Sequence, residues 1–192
     1  MQDTRALGVR ELLSVHAERG DAVDFLALLP RAEARRERSR LDALKATLVS
    51  EVSRRDGIDA ALTLLEHARF GSRFLGLVPG ALTETASYEE MRTLLQRPEL
   101  AALEEPQVTQ LLAETYANAM GRGGPSDGFD AVFERVMQVE PNRTAGDVKL
   151  RDWLLMRIAM HQDDLARVQL CRRAIRSRRL KQELQALEAR LA

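Results

Sequence analysis

The sequence predicts an all-α fold in which about five helix hairpins form an α-solenoid and a C-terminal helix follows them. Three observations carry this prediction. Apolar residues recur at helical spacing along most of the 192 residues, five short breaks interrupt them at intervals of about 30 to 40 positions, and no run alternates with a period of two. We therefore expect no β-strands. Such a repeat acts through a long binding surface, but the sequence does not identify what is bound.

Each break lies between the two helices of a predicted hairpin and consists mainly of small or polar residues. Gly20 suits the left-handed position that ends a helix, Pro106 suits a first turn, and Asp147 is expected to cap the fifth hairpin. The breaks are 19–22, 55–58, 85–88, 126–129 and 162–165. The predicted repeats are 3–36, 38–69, 72–97, 106–141 and 147–174, with a capping helix over 175–191, all in one domain over 1–192.

Apolar stripes justify the first two hairpins. Pro30 can end the second helix, although the charged run that follows, 31–40, is itself helix-prone. The stripes are Leu7, Leu12, Leu13 and Val15; Ala22, Phe25, Leu26 and Leu29; Leu41, Leu44, Leu48 and Val52; and Ile58, Ala61, Leu62, Leu65 and Ala68. Glycine and proline weaken the pattern between 70 and 86, so we expect a short or kinked helix there. Its apolar residues are expected in the core, with an exposed binding patch as the alternative.

Later stripes predict the remaining helices, and Tyr116 is expected in the core because it continues one of them. The stripes are Tyr88, Met91, Leu94 and Leu95; Val108, Leu111, Leu112, Thr115 and Tyr116; Phe129, Val132, Phe133 and Val136; Leu150, Trp153, Leu154 and Ile158; and Leu165, Val168 and Leu170. The loop Gly121–Gly128 lacks the Lys-Ser/Thr pair of a phosphate-binding loop, so we interpret it as a hairpin loop in which Ser126 or Asp127 caps the next helix.

Composition excludes several classes of protein. The 29 basic and 29 acidic residues give a formal charge of zero, so no overall field attracts nucleic acid or anionic membranes. Cys171 is the single cysteine, which excludes an internal disulfide and favours a reducing compartment. No secretory leader or membrane-spanning run is present, so we expect a soluble, cytoplasmic protein. Only three of the 29 basic residues are lysine, a bias typical of a GC-rich, bacterial genome.

Sequence motifs give no support for catalysis or for a bound metal or cofactor. The three histidines, His16, His67 and His161, lack the spacing that places two ligands on one helix face. Cys171 lies among arginines, which can lower a thiol pKa, but we expect an inert, apolar side chain. Adjacent acids such as Asp163 and Asp164 diverge by about 100° on a helix. We therefore expect neither an enzyme nor a metal or cofactor site.

The segment 128–142, which ends in Glu140-Pro141-Asn142, resembles the second helix of a tetratricopeptide repeat, and 57–68 is similar. A third, looser copy lies at 164–174. The copies depart from the family in their repeat length and in the glycine and tyrosine pattern of their first helices. The resemblance implies a right-handed superhelix with a concave groove for a peptide or a partner's helix. The groove candidates are Gln110, Glu114, Asn118 and Arg151.

The resemblance implies a non-catalytic adaptor or chaperone that binds a protein partner, and it leaves homo-oligomerisation open. The alternative is an all-α nucleic-acid-binding or transcription regulatory protein that uses the basic C-terminal segment. Its candidate contacts are Arg172, Arg176 and Arg179, which otherwise pair with acidic residues on a solvated helix. The polar positions of this last helix suit a terminal cap, so we expect it to close the stack.

Overall fold

Helices carry almost all of the regular structure in the computed structural model, which describes residues 8–33, 38–125, 127–145 and 147–192. The helices are α1 (Val9–Arg19), α2 (Ala22–Glu33), α3 (Arg38–Arg55), α4 (Ile58–Glu66), α5 (Leu77–Gly80), α6 (Tyr88–Leu94), α7 (Glu105–Gly121), α8 (Phe129–Gln138), α9 (Leu150–Ala159), α10 (Leu165–Ala174) and α11 (Arg178–Leu191). The all-α prediction is confirmed. The ends of the first predicted repeat, 3–7 and 34–36, lie outside the described residues.

The chain divides into two compact units, Met1–Leu82 and Thr83–Ala192. Within the first unit α1 packs against α2, α3 packs against α4, and the first helices α1 and α3 contact each other. Within the second unit the same pattern joins α7 to α8, α9 to α10, and α7 to α9, while α11 packs on α10. Consecutive helices therefore form hairpins inside each unit. The superhelix and the single domain over 1–192 stay predictions.

The first unit has its core between α1, α2 and α3. Leu13, Phe25, Leu29 and Leu48 are fully buried there, as their apolar stripes predict. Helix α2 continues past Pro30 to Glu33. Pro30 therefore does not end the helix, whose described part stops at Glu33, directly before residues 34–37, which lie outside the described part of the chain.

Lys45 is a buried cation that joins three segments of the first unit. Its ammonium donates to Glu33 Oε1 at 3.3 Å and to the carbonyl oxygen of Arg69 at 2.9 Å. It also lies 5.9 Å from the centre of the Phe70 ring. A buried charge needs such partners. Phe70, Phe74 and Val78 are buried in the same core, which confirms the prediction that the apolar residues of the irregular segment are core side chains.

The third predicted repeat, 72–97, is not a pair of long helices. It contains a 3₁₀ turn at Ser72–Phe74, the one-turn helix α5 at the end of the first unit, and α6 in the second unit. The expected short helix is thus present. Ser87 begins α6 by accepting from the amide of Glu90, whose carboxylate accepts from the Ser87 amide at 2.7 Å.

The second unit contains a short β-hairpin that the sequence analysis did not predict. Thr144–Ala145 pairs with Val148–Lys149 in antiparallel register. Strands of two residues are too short to show an alternating pattern, so the prediction of no strands was wrong for a physical reason. The hairpin also delays α9, whose N-cap is Lys149 instead of the expected Asp147.

Gly128 is the N-cap of α8, so the prediction that Asp127 fills this position was wrong; Ser126 lies outside the described residues. Gly128 has a φ of 98°, a left-handed conformation that favours glycine. A Cβ atom at this position would lie 2.8 Å from the Tyr88 ring. Glycine therefore allows the loop to pass close to α6. Among the described residues, no helix combines the length and the apolar composition that membrane crossing requires.

Candidate binding surface

In the first unit, an arginine at the C-terminal end of one hairpin's first helix forms hydrogen bonds to the break of the preceding hairpin. Arg55, the last residue of α3, donates from Nη2 to the carbonyl of Gly20 at 2.9 Å and from Nη1 to Asp21 Oδ1 at 3.3 Å. It also donates to the carbonyl of Arg19. The exposed Asp56 carboxylate accepts two bonds from the same guanidinium, and these bonds lower the pKa of Asp56. Neighbouring hairpins are thus joined at equivalent points.

The second unit repeats this arrangement. Arg122, directly after α7, donates to the carbonyl of Ala86 at 2.8 Å and to that of Glu84, both in the segment before α6. One hairpin later, His161 lies over Gly121, where a Cβ atom would meet the imidazole at 3.2 Å. These contacts join residues 36 to 40 positions apart. The spacing of the breaks in the sequence therefore corresponds to a real contact between successive hairpins.

A row of polar side chains crosses the first helices of the second unit. Gln110 donates from Nε2 to Glu114 Oε1 at 2.8 Å, and both side chains lie half-buried on α7. One turn later, Asn118 donates to the carbonyl of Thr83 at 3.1 Å and accepts from Arg157 of α9 at 2.8 Å. We call Gln110, Glu114, Asn118 and Arg157 the polar row. Three of the four groove candidates thus lie on one face.

Arg151 does not belong to the polar row. It is 7% exposed, and its Nε atom is buried without a hydrogen-bond partner in the described part of the chain. Arg157 lies six positions further along α9, which places the two side chains about 120° apart around the helix. Arg157 is not among the groove residues that the sequence predicts. The signal that could have found it is its position 39 residues after Asn118, one repeat length on.

The three candidate basic contacts fall into two groups. Arg172 pairs with Glu188 at 2.5 Å, and Arg179 pairs with Glu183 at 3.2 Å, so both are ion-paired within the last two helices. Arg176 has an exposed side chain, and its backbone amide donates to the carboxylate of Asp152 at 3.1 Å. Asp152 also accepts from the amide of Ser177 at 2.7 Å. This buried carboxylate fixes the turn between α10 and α11.

A pocket of about 480 Å³ lies beside the C-terminal end of α7 and is lined by Tyr88, Ala119 and the loop 122–125. Two of its charged side chains, Arg122 and Glu90, have structural roles. Arg122 binds two carbonyl oxygens, and Glu90 accepts from the backbone amide and the hydroxyl of Ser87, which lowers its carboxyl pKa. Burial raises the pKa of the Tyr88 phenol. The pocket therefore offers a shaped cavity next to the polar row, with Arg122 and Glu90 held in place on its wall.

Cys171 is fully buried in α10, and burial raises its thiol pKa to about 12. We expect native protein at pH 9 to react with iodoacetamide far more slowly than unfolded protein, because an exposed cysteine is largely thiolate at that pH whereas Cys171 stays protonated. Mass spectrometry of alkylated protein with and without urea measures this difference. Equal labelling rates in the two states would contradict the buried, inert thiol.

The second unit thus presents an ordered polar face on two neighbouring first helices, with a pocket at one end and the basic C-terminal turn elsewhere on the same unit. Arg157 connects the two helices of this face through Asn118. Comparisons of the chain with protein-family models, with curated proteins and with solved structures found no significant match.

Proposed function

We propose that this chain is a degenerate tetratricopeptide-like solenoid that acts as a non-catalytic adaptor or chaperone and binds a protein partner across its first helices. The observation that carries the proposal is the polar row, which Asn118 extends from the segment before α6 to α9 through two hydrogen bonds. A face that spans successive hairpins offers an extended partner several contacts at once. Right-handed stacking of the hairpins would place such a face along a concave groove.

The side chains of the polar row can form hydrogen bonds to a partner. Gln110 and Glu114 are half-buried and bind only each other in the described part of the chain, so both keep free hydrogen-bonding capacity toward a partner. Asn118 and Arg157 are held in place by their mutual bond, which fixes the row before a partner arrives. A polar, preformed face favours a peptide or helix over a small apolar ligand. The free thiol suits a reducing, cytoplasmic setting.

The proposal is tested by affinity capture from native lysate with two matched variants as bait. We expect Gln110→Ala combined with Glu114→Ala to reduce recovery of a wild-type partner about ten-fold, because two central contacts are lost. The control combines Thr63→Ala with Glu66→Ala, which removes one hydroxyl and one carboxylate from the exposed face of the second helix α4. Equal recovery by the row variant and by wild type would contradict the proposal.

A further inference from the structure

The residues from Leu165 to Gln182 include seven basic side chains and no carboxylate. Three of the seven are paired with acids outside this segment. Arg167 lies 3.5 Å from Asp164, Arg172 lies 2.5 Å from Glu188, and Arg179 lies 3.2 Å from Glu183. The structure therefore separates the paired arginines of this segment from the remaining cations.

Arg173, Arg176, Arg178 and Lys181, which we call the basic cluster, surround the turn between α10 and α11. The three arginines are exposed and Lys181 is half-buried. In the described part of the chain, their side chains have neither an ion pair nor a hydrogen bond. Asp152, the carboxylate that fixes this turn, binds the backbone amides of Arg176 and Ser177. The cluster thus keeps its four positive charges available on a well-defined turn.

The helix dipoles act differently on these charges: Arg173 lies in the last turn of α10, where a cation is favoured, whereas Arg178 lies at the start of α11. Helix α11 has no acidic residue in its first turn, where the positive end of the helix dipole favours carboxylates and disfavours cations. Arg178 occupies the first position of this helix, directly after the N-cap Ser177. Mutual repulsion among the four cations adds to this effect, because Asp152 binds the backbone amides of the turn and, in the described part of the chain, no carboxylate pairs with the four side chains. Residues that oppose local stability without compensation are expected at binding sites.

The surroundings of the cluster favour an acidic polypeptide over single-stranded nucleic acid. Single-stranded binding relies on exposed aromatic rings on which bases stack. The chain has no Phe, Tyr or Trp after Trp153. Within the segment, Arg167 lies over the ring of Phe129, which is only 1% exposed. The carboxylates of a flexible peptide can bind to cations without any aromatic ring, and the turn supplies these cations.

We propose that the basic cluster is a docking surface for a Glu/Asp-rich segment of polypeptide. The inference rests on the proposed function in taking the partner to be a protein, but it assigns a surface separate from the polar row. Arginine guanidinium groups bind carboxylates in a bidentate manner, and the cluster offers three of them within six residues. The acidic segment pairs with charges for which the described part of the chain provides no counterion.

Fluorescence anisotropy with a labelled oligoglutamate peptide tests the proposal on the full chain at low salt. Combining Arg173→Gln, Arg176→Gln and Arg178→Gln is expected to weaken binding about ten-fold, as the loss of three exposed ion pairs implies. The control combines Arg31→Gln, Arg54→Gln and Arg92→Gln, which changes the net charge equally at exposed positions outside the cluster. Binding close to wild type in the control supports the proposal, whereas equal loss in both variants overturns it.

Two further arms complete the experiment. Arg178→Glu is expected to raise the Tm, since a carboxylate in the first turn of α11 suits the helix dipole, and to weaken oligoglutamate binding; unchanged binding overturns the proposal.

Labelled RNA and duplex DNA are titrated alongside. Cluster-dependent binding of either, tighter than that of oligoglutamate, assigns the cluster to nucleic acid and overturns the proposal. Because these probes are defined, failure of the polar row in lysate capture leaves the titration unaffected.

Discussion

Replacing Phe25 by alanine is expected to lower the free energy of unfolding by about 3–5 kcal/mol. The ring is fully buried in α2, where it packs in one cluster with Leu13 and Leu29. Its removal loses apolar contact area and leaves a cavity that the surrounding helices fill only partly. Urea denaturation followed by the helical circular dichroism signal measures the loss.

Val23→Ala is the matched control for this prediction. Val23 lies on the same helix, two positions earlier, and is 82% exposed. Its truncation removes almost no buried area, and alanine has the higher helix propensity, so we expect a change within about 0.5 kcal/mol. A loss from Val23→Ala as large as that from Phe25→Ala would contradict the described orientation of α2.

Replacing Asp152 by alanine is expected to cost about 3 kcal/mol. The carboxylate is 2% exposed and accepts from the amides of Arg176 and Ser177, at 3.1 and 2.7 Å. Alanine leaves both amides without this acceptor and releases the turn between α10 and α11. Chemical denaturation measures the stability, and hydrogen exchange at the two amides reports on the turn itself.

The variant Asp152→Asn distinguishes the loss of the negative charge from the loss of the hydrogen-bond acceptor. The amide side chain keeps one oxygen that can accept a hydrogen bond, so we expect a smaller loss than for alanine. If the amides of Arg176 and Ser177 exchange as slowly in Asp152→Ala as in wild type, the carboxylate does not fix the turn. The basic cluster would then lack the defined geometry on which its proposed docking role depends.

Much of the helical organisation could be predicted because the relevant physics is local. Gly20 takes the left-handed conformation that ends α1, with a φ of 68°, as its position after an apolar stripe predicts. Asp164 lies in the break at 162–165 and caps α10 through the amides of Ala166 and Arg167. Tyr116 is buried because it continues the stripe of α7. Each of these features depends on residues within one or two helical turns.

The remaining features depend on partners distant in the sequence. Gly128 is needed at the start of α8 because the ring of Tyr88, 40 residues earlier, fills the space of a side chain. Arg157 belongs to the polar row because its guanidinium, on α9, donates a hydrogen bond to the side chain of Asn118, on α7. Arg151 and Asp152 look like surface residues in the sequence, yet both are buried in α9, which is packed by neighbouring helices on several sides. Charge predicts exposure only where nothing covers the helix.

The most direct test of the polar row as a binding face is site-specific photo-cross-linking to the captured partner. A photoreactive amino acid at Gln110 on the first helix α7 is compared with one at Val23 on the exposed face of the second helix α2. The account predicts a cross-link to the partner from position 110 and none from position 23. A partner that cross-links from position 23 and not from position 110 would contradict it.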